Sequence, residues 1–346
     1  MKKHIFRLSL ALLILCVATA CFIACTTTPS TPDETTPNTE VTIGDTEAPT
    51  KAPTETPTET PTEAPTEEET TMEEITTEAE TETPIAGMDS GVVRDGTPKK
   101  YFTIRFDDGT TQDQQVIDIL KKYNADCCTF YINTGLLGAD WKWVGQTLGM
   151  PSLSHLRYTR RELQSGIYDG FDVEVHTSTH HSLKDLTEEN VIKEVADDAK
   201  MISRITGIIP VGMAWPGGDT EFNETNIQTI LANTDIRYGS CTTRNTQKGL
   251  GKFSLPQYFM TWYPTCSFSD ADSMALLQEF INVPCEEDML FFVWCHGYEL
   301  DFYSSWEKFD IFIKTITEAA AKDDSIVLVT NAEFYQLFKD EIPAWK

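Results

Sequence analysis

Three of the six histidines in this 346-residue chain fall within six residues, in the stretch FDVEVHTSTHH at positions 171–181. His176 and His180 are four apart, and His181 follows directly. A second group of polar residues is Asp107 and Asp108, in RFDDG, and a third is His296, in VWCHG. Two histidines and one carboxylate offer a divalent first-row metal three ligands and leave positions open. Those positions take a water and a substrate carbonyl, and the metal acidifies the one and polarises the other. A second carboxylate beside the site can accept the water's proton, and a further histidine can protonate a leaving group. This is equipment for hydrolysing an amide or ester without a covalent intermediate. Singly, each motif has a duller reading. FDDG is a common turn, HxxxH recurs by chance in surface loops, and a lone histidine is usually bonded to backbone. The joint pattern carries the weight. No GxSxG elbow, GxxxxGK loop or dinucleotide fingerprint competes with it.

The elements needed to hold these residues can be read from periodicity. KYFTIRFDDG is a strand that stops at a turn, and ADCCTFYINT is another. FDVEVH alternates with period two, VGMAWP is a short strand, DMLFFVWCH is a long one, and SIVLVT closes the series. Helical spacing runs through TQDQQVIDILKKYN, NETNIQTILANT, SMALLQEFINV and WEKFDIFIKTITEAAAK, and a last short helix follows SIVLVT. One further helix follows Thr187, its expected N-cap, stops at Gly207, and buries Val191, Val195, Ile202 and Ile205. Strands alternating with helices imply a parallel sheet with crossovers, and seven or eight such units imply a closed α/β barrel. In that architecture chemistry sits at the C-terminal strand ends. Asp107, Asp108, His176 and His296 all lie there, with His180 one short loop further on.

The charge of −27 is unevenly spread. Between residues 26 and 95, 18 acids face two bases, Lys51 and Arg94. No basic cluster suits nucleic acid or an anionic membrane. Residues 1–25 read as an export signal, with Lys2, Lys3 and Arg7 ahead of a short apolar core. Small residues before Cys21 resemble a bacterial lipobox, with Cys25 as a second candidate. The expectation is therefore an extracellular lipoprotein, tethered by lipid only, or otherwise a secreted protein. Residues 26–97 repeat Pro, Thr and Glu, with almost no apolar residues to offset ordering entropy, and read as a disordered stalk. The remaining 98–346 form the catalytic domain, expected to be monomeric. Its six cysteines lack paired CxxC spacing, so a zinc knuckle is not indicated.

The motifs quoted above resemble the polysaccharide deacetylase family, the NodB-homology domain of carbohydrate esterase family 4, across about residues 98–346. The family's TFDDG appears as RFDDG, and implies Asp107 as catalytic base and Asp108 as metal ligand. Its H(S/T)xxH appears complete and implies His176 and His180 as the other ligands. His296 matches the last motif and implies the catalytic acid. The implied fold is a distorted (β/α)7 TIM-like barrel. The implied cofactor is a divalent metal, Zn²⁺ first, then Co²⁺, Ni²⁺ or Mn²⁺. The implied partner is an acetylated polysaccharide, which could be peptidoglycan, a chitin-like chain or xylan. His181 falls where the family varies and is expected to be exposed.

One motif departs from the family. RxPYG is replaced by Ala214-Trp215-Pro216-Gly217-Gly218. Alanine takes the place of the arginine that partners the base, and glycine takes the place of the tyrosine. A backbone N–H remains at Gly217 for an oxyanion. Arg105, two residues before Asp107, shares its strand face and is the candidate replacement partner. Three aspartates, Asp235, Asp270 and Asp301, stand open for the role of tuning the acid histidine. Of the aromatics Trp141, Trp143, Trp215, Trp262, Tyr263, Tyr298 and Trp306, Trp215 is expected at the substrate, with Pro216 and Gly217 beside it, because it lies inside that motif. The altered motif also raises two other readings, a carbohydrate-binding pseudoenzyme on a stalk and a structural surface lipoprotein.

Overall fold

The computed structural model describes residues 92–346. The expected signal region 1–25, with Cys21 and Cys25, and almost all of the stalk lie outside the described residues. Nine-residue β1 (Lys100–Asp108) is buried along its whole length. After it come α1 (Asp113–Tyr123), β2 (Cys128–Ile132), α2 (Lys142–Thr147), α3 (Arg160–Gln164), β3 (Asp172–Val175) and α4 (Glu188–Thr206). The chain continues through β4 (Gly212–Ala214), α5 (Glu224–Asn233), β5 (Tyr238–Ser240), β6 (Cys266–Ser267) and α6 (Ser273–Asn282). It ends with β7 (Met289–His296), α7 (Gly297–Phe302), α8 (Trp306–Ala320), β8 (Ile326–Leu328) and α9 (Asn331–Phe338).

All strand pairs in the sheet are parallel, in the order β5-β4-β3-β2-β1-β7-β6. β8 shares an edge of β1 with β2: it pairs with Lys100–Phe102, and β2 takes over from Ile104. The two ends of the sheet are stitched by one segment. Trp262 donates its N–H to the Gly239 carbonyl (3.0 Å) and accepts from Cys241 N (2.9 Å). Three residues on, Thr265 N donates to Phe292 O on β7 (2.8 Å). The expected distorted barrel is the observed fold.

Alternation along the strands sorts the core into two clusters. Phe102, Ile104, Phe106, Phe130, Val173, Val175, Phe291 and Val293 pack with helix residues such as Val116, Val195 and Phe312. Tyr101, Tyr131, Ala214, Tyr238 and Phe292 form the other, interior cluster with Trp262 and Phe334. The interior of β1–β3 also carries Arg105 and Glu174, both fully buried. Asp107 and His176 continue this inward face to the strand ends.

α4 forms as expected. Thr187 caps its start, and Gly207 ends it at φ 77°. Val191, Val195 and Ile202 are buried on one stripe, but so is Asp198, and Ile205, expected there too, is only half-buried at the helix's last turn. β5 and β6 were not expected, because two or three residues leave no room for a period. All six cysteines of the described residues are free, five of them buried. Arg94, at the edge of the expected stalk, packs onto the barrel. It pairs with Asp288 (2.8 Å) and Glu341 and lies over the Phe338 ring.

Candidate metal and catalytic centre

His176 leaves the end of β3 with its backbone pinned from both sides. Asn133 donates its side-chain amide to the carbonyls of His176 (2.6 Å) and Thr177 (2.9 Å). Asp198 of α4 accepts the His176 N–H (3.1 Å) together with the N–H and hydroxyl of Thr134. One helical turn earlier, Glu194 accepts the Thr179 N–H (2.9 Å) and hydroxyl (2.7 Å). Two acids at i and i+4 on α4 therefore hold the HTSTH loop. These anchors offset the cost of left-handed backbone at Thr177 (φ 62°) and His180 (φ 56°), conformations that β-branched and bulky residues rarely adopt.

The loop aims both imidazoles at Asp108. His176 donates Nδ1–H to the Ala214 carbonyl (2.9 Å), which leaves Nε2 as a lone-pair donor. That Nε2 lies 3.6 Å from Asp108 Oδ1, and His180 Nε2 lies 3.4 Å from the same oxygen. Both His176 Nε2 and Asp108 Oδ1 are buried without a hydrogen-bond partner. One ligand atom from each of Asp108, His176 and His180 falls within 4.8 Å of the others. Arg157 Nη2 lies 3.4 Å from Asp108 Oδ1, but no donor reaches His176 Nε2. Buried lone pairs facing one another are costly unless a cation joins them, so this donor set fits a divalent metal. Burial, and then the neighbouring His180, hold His176 well below the usual imidazole range, against the pull of Asp108. Burial likewise lowers His180. Both histidines are thus kept neutral, the form that ligates.

Asp107 sits beside this group on the interior face. Arg105 Nη1 is 3.4 Å from Asp107 Oδ1. The same guanidinium is fixed by donation to Ser240 Oγ (2.7 Å) and the Cys241 carbonyl (2.8 Å), both at the end of β5. This contact follows from strand alternation, which puts Arg105 and Asp107 on one face of β1. Burial raises the Asp107 carboxyl above its usual range, and Arg105 and His296 oppose that shift.

His296 ends β7, and α7 begins at the next residue. Glu299, three residues on, accepts from His296 Nδ1 (2.8 Å). A glutamate at this position of a helix often reaches back to the backbone of the cap residue. Here it binds the cap residue's side chain. Burial pulls His296 down, but the Glu299 hydrogen bond and charge, followed by Asp108 and Asp107, raise it to about 9. The tuning group is therefore Glu299 and none of the three aspartates. Asp235 lies 4.0 Å from Arg237, Asp270 pairs with Arg244, and Asp301 accepts from Gln112 and Trp306. The i+3 spacing and the direct strand-to-helix junction were the signals that could have found Glu299.

Trp215 requires a correction. It is 1% exposed, stacks on Phe222 at 4.0 Å, and donates Nε1–H to the Met260 carbonyl (3.0 Å). Alternation explains this, because Ala214 faces the interior and its neighbour must face the helix layer. Pro216 is buried as well, and Gly217 is exposed at φ 69°. Trp262 is also core. Trp141, Trp294 and Tyr298 are aromatics that flank the centre, and Trp143 packs on Trp141. Trp141 makes an edge contact with His180, and Tyr298 lies 5.0 Å from His296. His181 is exposed, as expected. His155, which sequence reasoning passed over, lies 3.0 Å from Asp108 Oδ2.

The family model of polysaccharide deacetylases matches residues 94–239 of the chain. The match ends within β5, so His296 and Glu299 join the site from beyond it. The chain is also similar to several solved structures. The Xyl-CE4 domain of a multidomain xylanase from the hindgut metagenome of Trinervitermes trinervoides is 17% identical, with 72% of this chain and 95% of that one covered and a TM-score of 0.41. A family 4 acetyl xylan esterase from Clostridium thermocellum, in complex with a cobalt ion, is 18% identical, with coverage of 70% and 93% and a TM-score of 0.42. A peptidoglycan deacetylase from Bacillus subtilis is 18% identical, with coverage of 70% and 93% and a TM-score of 0.39. No curated protein matches the chain.

Proposed function

We propose that the chain is a metal-dependent hydrolase that removes N- or O-linked acetyl groups from an extracellular polysaccharide. One observation carries this reading: Asp108 Oδ1 and His176 Nε2, both buried without a hydrogen-bond partner, converge with His180 beside an arginine-paired carboxylate and a glutamate-paired histidine. Asp108, His176 and His180 hold the metal, with Zn²⁺ the first candidate for a nitrogen- and oxygen-donor site with open positions. When bound, such an ion supplies Lewis acidity toward a carbonyl and makes water a stronger acid.

The chain's own residues do the rest. Asp107 accepts a proton from the attacking water, and its raised affinity for protons suits a base working near neutrality. Arg105 keeps that carboxylate ionised between turnovers. His296, charged at neutral pH, gives its Nε2 proton to the leaving nitrogen or oxygen as the acyl bond breaks, while Glu299 holds Nδ1. Acetate and the freed amine or hydroxyl are the products. The net charge of −27 disfavours polyanionic glycans. Peptidoglycan, a chitin-like chain and acetylated xylan are the substrates to test. The lipobox-like Cys21 and the acidic, proline-rich stretch after it support display of the enzyme at the cell surface.

Acetate release from these three polymers tests the reading. The chain is stripped by a chelator and reloaded with Zn²⁺ or Co²⁺, with D107N in parallel. Release should vanish on stripping, return on reloading, and fall by roughly 10²–10⁴ in D107N. Metal uptake without release from any polymer would point to the carbohydrate-binding reading.

A further inference from the structure

The segment between α2 and α3 sends two side chains onto the ligand carboxylate that the reaction above does not use. Residues 155–157 are extended, bridged to Asp140 at Leu156 and to Thr110 at Arg157. Alternation then turns His155 and Arg157 inward, each 1% exposed, and leaves Leu156 outward at 38%. His155 Nε2 lies 3.0 Å from Asp108 Oδ2. On the other edge of the ring, Arg157 Nη1 lies 3.4 Å from His155 Nδ1. The guanidinium also meets the carboxylate directly, with Nη2 3.4 Å from Asp108 Oδ1, and is itself held. Its Nη2 donates to Asn133 Oδ1 (3.3 Å), and its Cζ lies 4.0 Å over the Trp141 ring, which also stacks on His155 at 15° between planes.

These contacts settle the imidazole's proton. A guanidinium has donors only, so Nδ1 must accept from Arg157. The ring proton therefore sits on Nε2 and is donated to Asp108 Oδ2. A carboxylate bonded through one oxygen cannot rotate freely, and its other oxygen, Oδ1, is the one that faces His176 and His180. Asn133 ties the two halves of the centre together. Its amide N–H groups hold the His176 and Thr177 carbonyls, and its oxygen accepts from Arg157.

We infer that His155 is a positioning residue for the metal centre. It engages Asp108 Oδ2 and so keeps Oδ1 turned toward His176 and His180, while Arg157 sets the His155 tautomer and also lies 3.4 Å from Oδ1. The inference rests on the metal reading above. It assigns to a segment with no recognised motif the task of orienting the one acidic ligand, an arrangement that raises metal affinity without touching substrate.

Calorimetric titration of Co²⁺ into the chelator-stripped full chain tests it, with the visible spectrum of the bound ion as a second readout. H155L should bind Co²⁺ roughly 10–100-fold more weakly than the wild type and shift the cobalt bands. H155Q, whose amide can reach Oδ2 as a donor, should recover most of that loss. A merely structural role would not be rescued in this way. If H155L fails to fold, H155F, which keeps a ring over Trp141 but offers no donor, tests the same clamp, with the same loss expected. Wild-type affinity and bands in H155L, or in H155F where H155L does not fold, would overturn the clamp alone. A wild-type chain that takes up no cobalt would overturn the metal reading and the clamp with it.

Discussion

The two histidine environments at the mouth of this barrel differ in one component. After β3, burial lowers the proton affinity of both histidines, helped at His176 by the neighbouring His180 and at His180 by Arg157 and His296. At the end of β7, His296 is also buried, but a glutamate three residues away binds its Nδ1, and its pKa rises to about 9. One residue type is thus held neutral on one side and charged on the other, as the proposed ligand and acid roles require. The partner at Nδ1 decides which: the neutral Ala214 carbonyl for His176, and the Glu299 carboxylate for His296. Two titratable groups pushed apart by their surroundings are how one site houses different roles at one pH.

The sharpest way to break this comparison is to remove one histidine from each side. H180A should lose metal uptake and with it all acetate release, read by metal content after dialysis and by activity. H296N should keep its metal and lose roughly 10²–10⁴ in kcat, the range for a missing general acid. Equal metal loss in both variants would dissolve the distinction.

A smaller change makes the two environments alike. E299Q keeps a hydrogen-bonding side chain at His296 Nδ1 but removes the charge. Glu299 raises the His296 pKa, so its neutralisation lowers it. The acid form is then lost at lower pH, and the alkaline limb of the kcat profile should move down. The expected loss is about tenfold above neutrality and small at pH 6, where the imidazole remains charged. An unshifted alkaline limb would assign that limb to another group.

R105M acts on the opposite limb. Arg105 favours the ionised form of Asp107, so its loss raises further a carboxyl that burial already raises. The base is then protonated at higher pH, and the acidic limb of kcat/KM should move up, with about tenfold lost at pH 6 and less at pH 8. The same profile from D107N-like loss at all pH values would mean that Arg105 holds the site's shape and not its charge.

What was legible in the sequence was what spacing can encode. Asp107, Asp108, His176, His180 and His296 stand at strand ends, and strand ends are readable from period two. The pairing of Arg105 with Asp107 was legible for the same reason, because residues two apart share a face. Glu299 was missed because the search was for an aspartate and because α7 starts with no loop to mark it. His155 and Arg157 were missed because their segment has no long period, although the pair alternates around Leu156 as a strand would. Asp198 could have been noticed as an acid on the apolar stripe of α4, a position where burial without partners would be costly. β5 and β6 are set by pairing with strands distant in sequence, through Trp262 and Thr265, and no local pattern records that.

Trp215 gives the smallest expected effect and sharpens the same lesson. Membership of a motif placed it at the substrate, whereas strand alternation places it in the outer core. If alternation is the better guide, W215F should lose the Nε1–H to Met260 carbonyl bond and leave that buried acceptor without this donor, at a cost of about 1–3 kcal/mol. Phenylalanine keeps most of the stack on Phe222, so the barrel should remain folded at a lower Tm. KM for the polysaccharide should stay within twofold, because the ring is 1% exposed and has no face to offer a sugar. Thermal unfolding and steady-state kinetics on the same preparation separate the two readings. A raised KM at unchanged Tm would return Trp215 to the binding groove, and would mean that its interior neighbour Ala214 is not the residue facing the site.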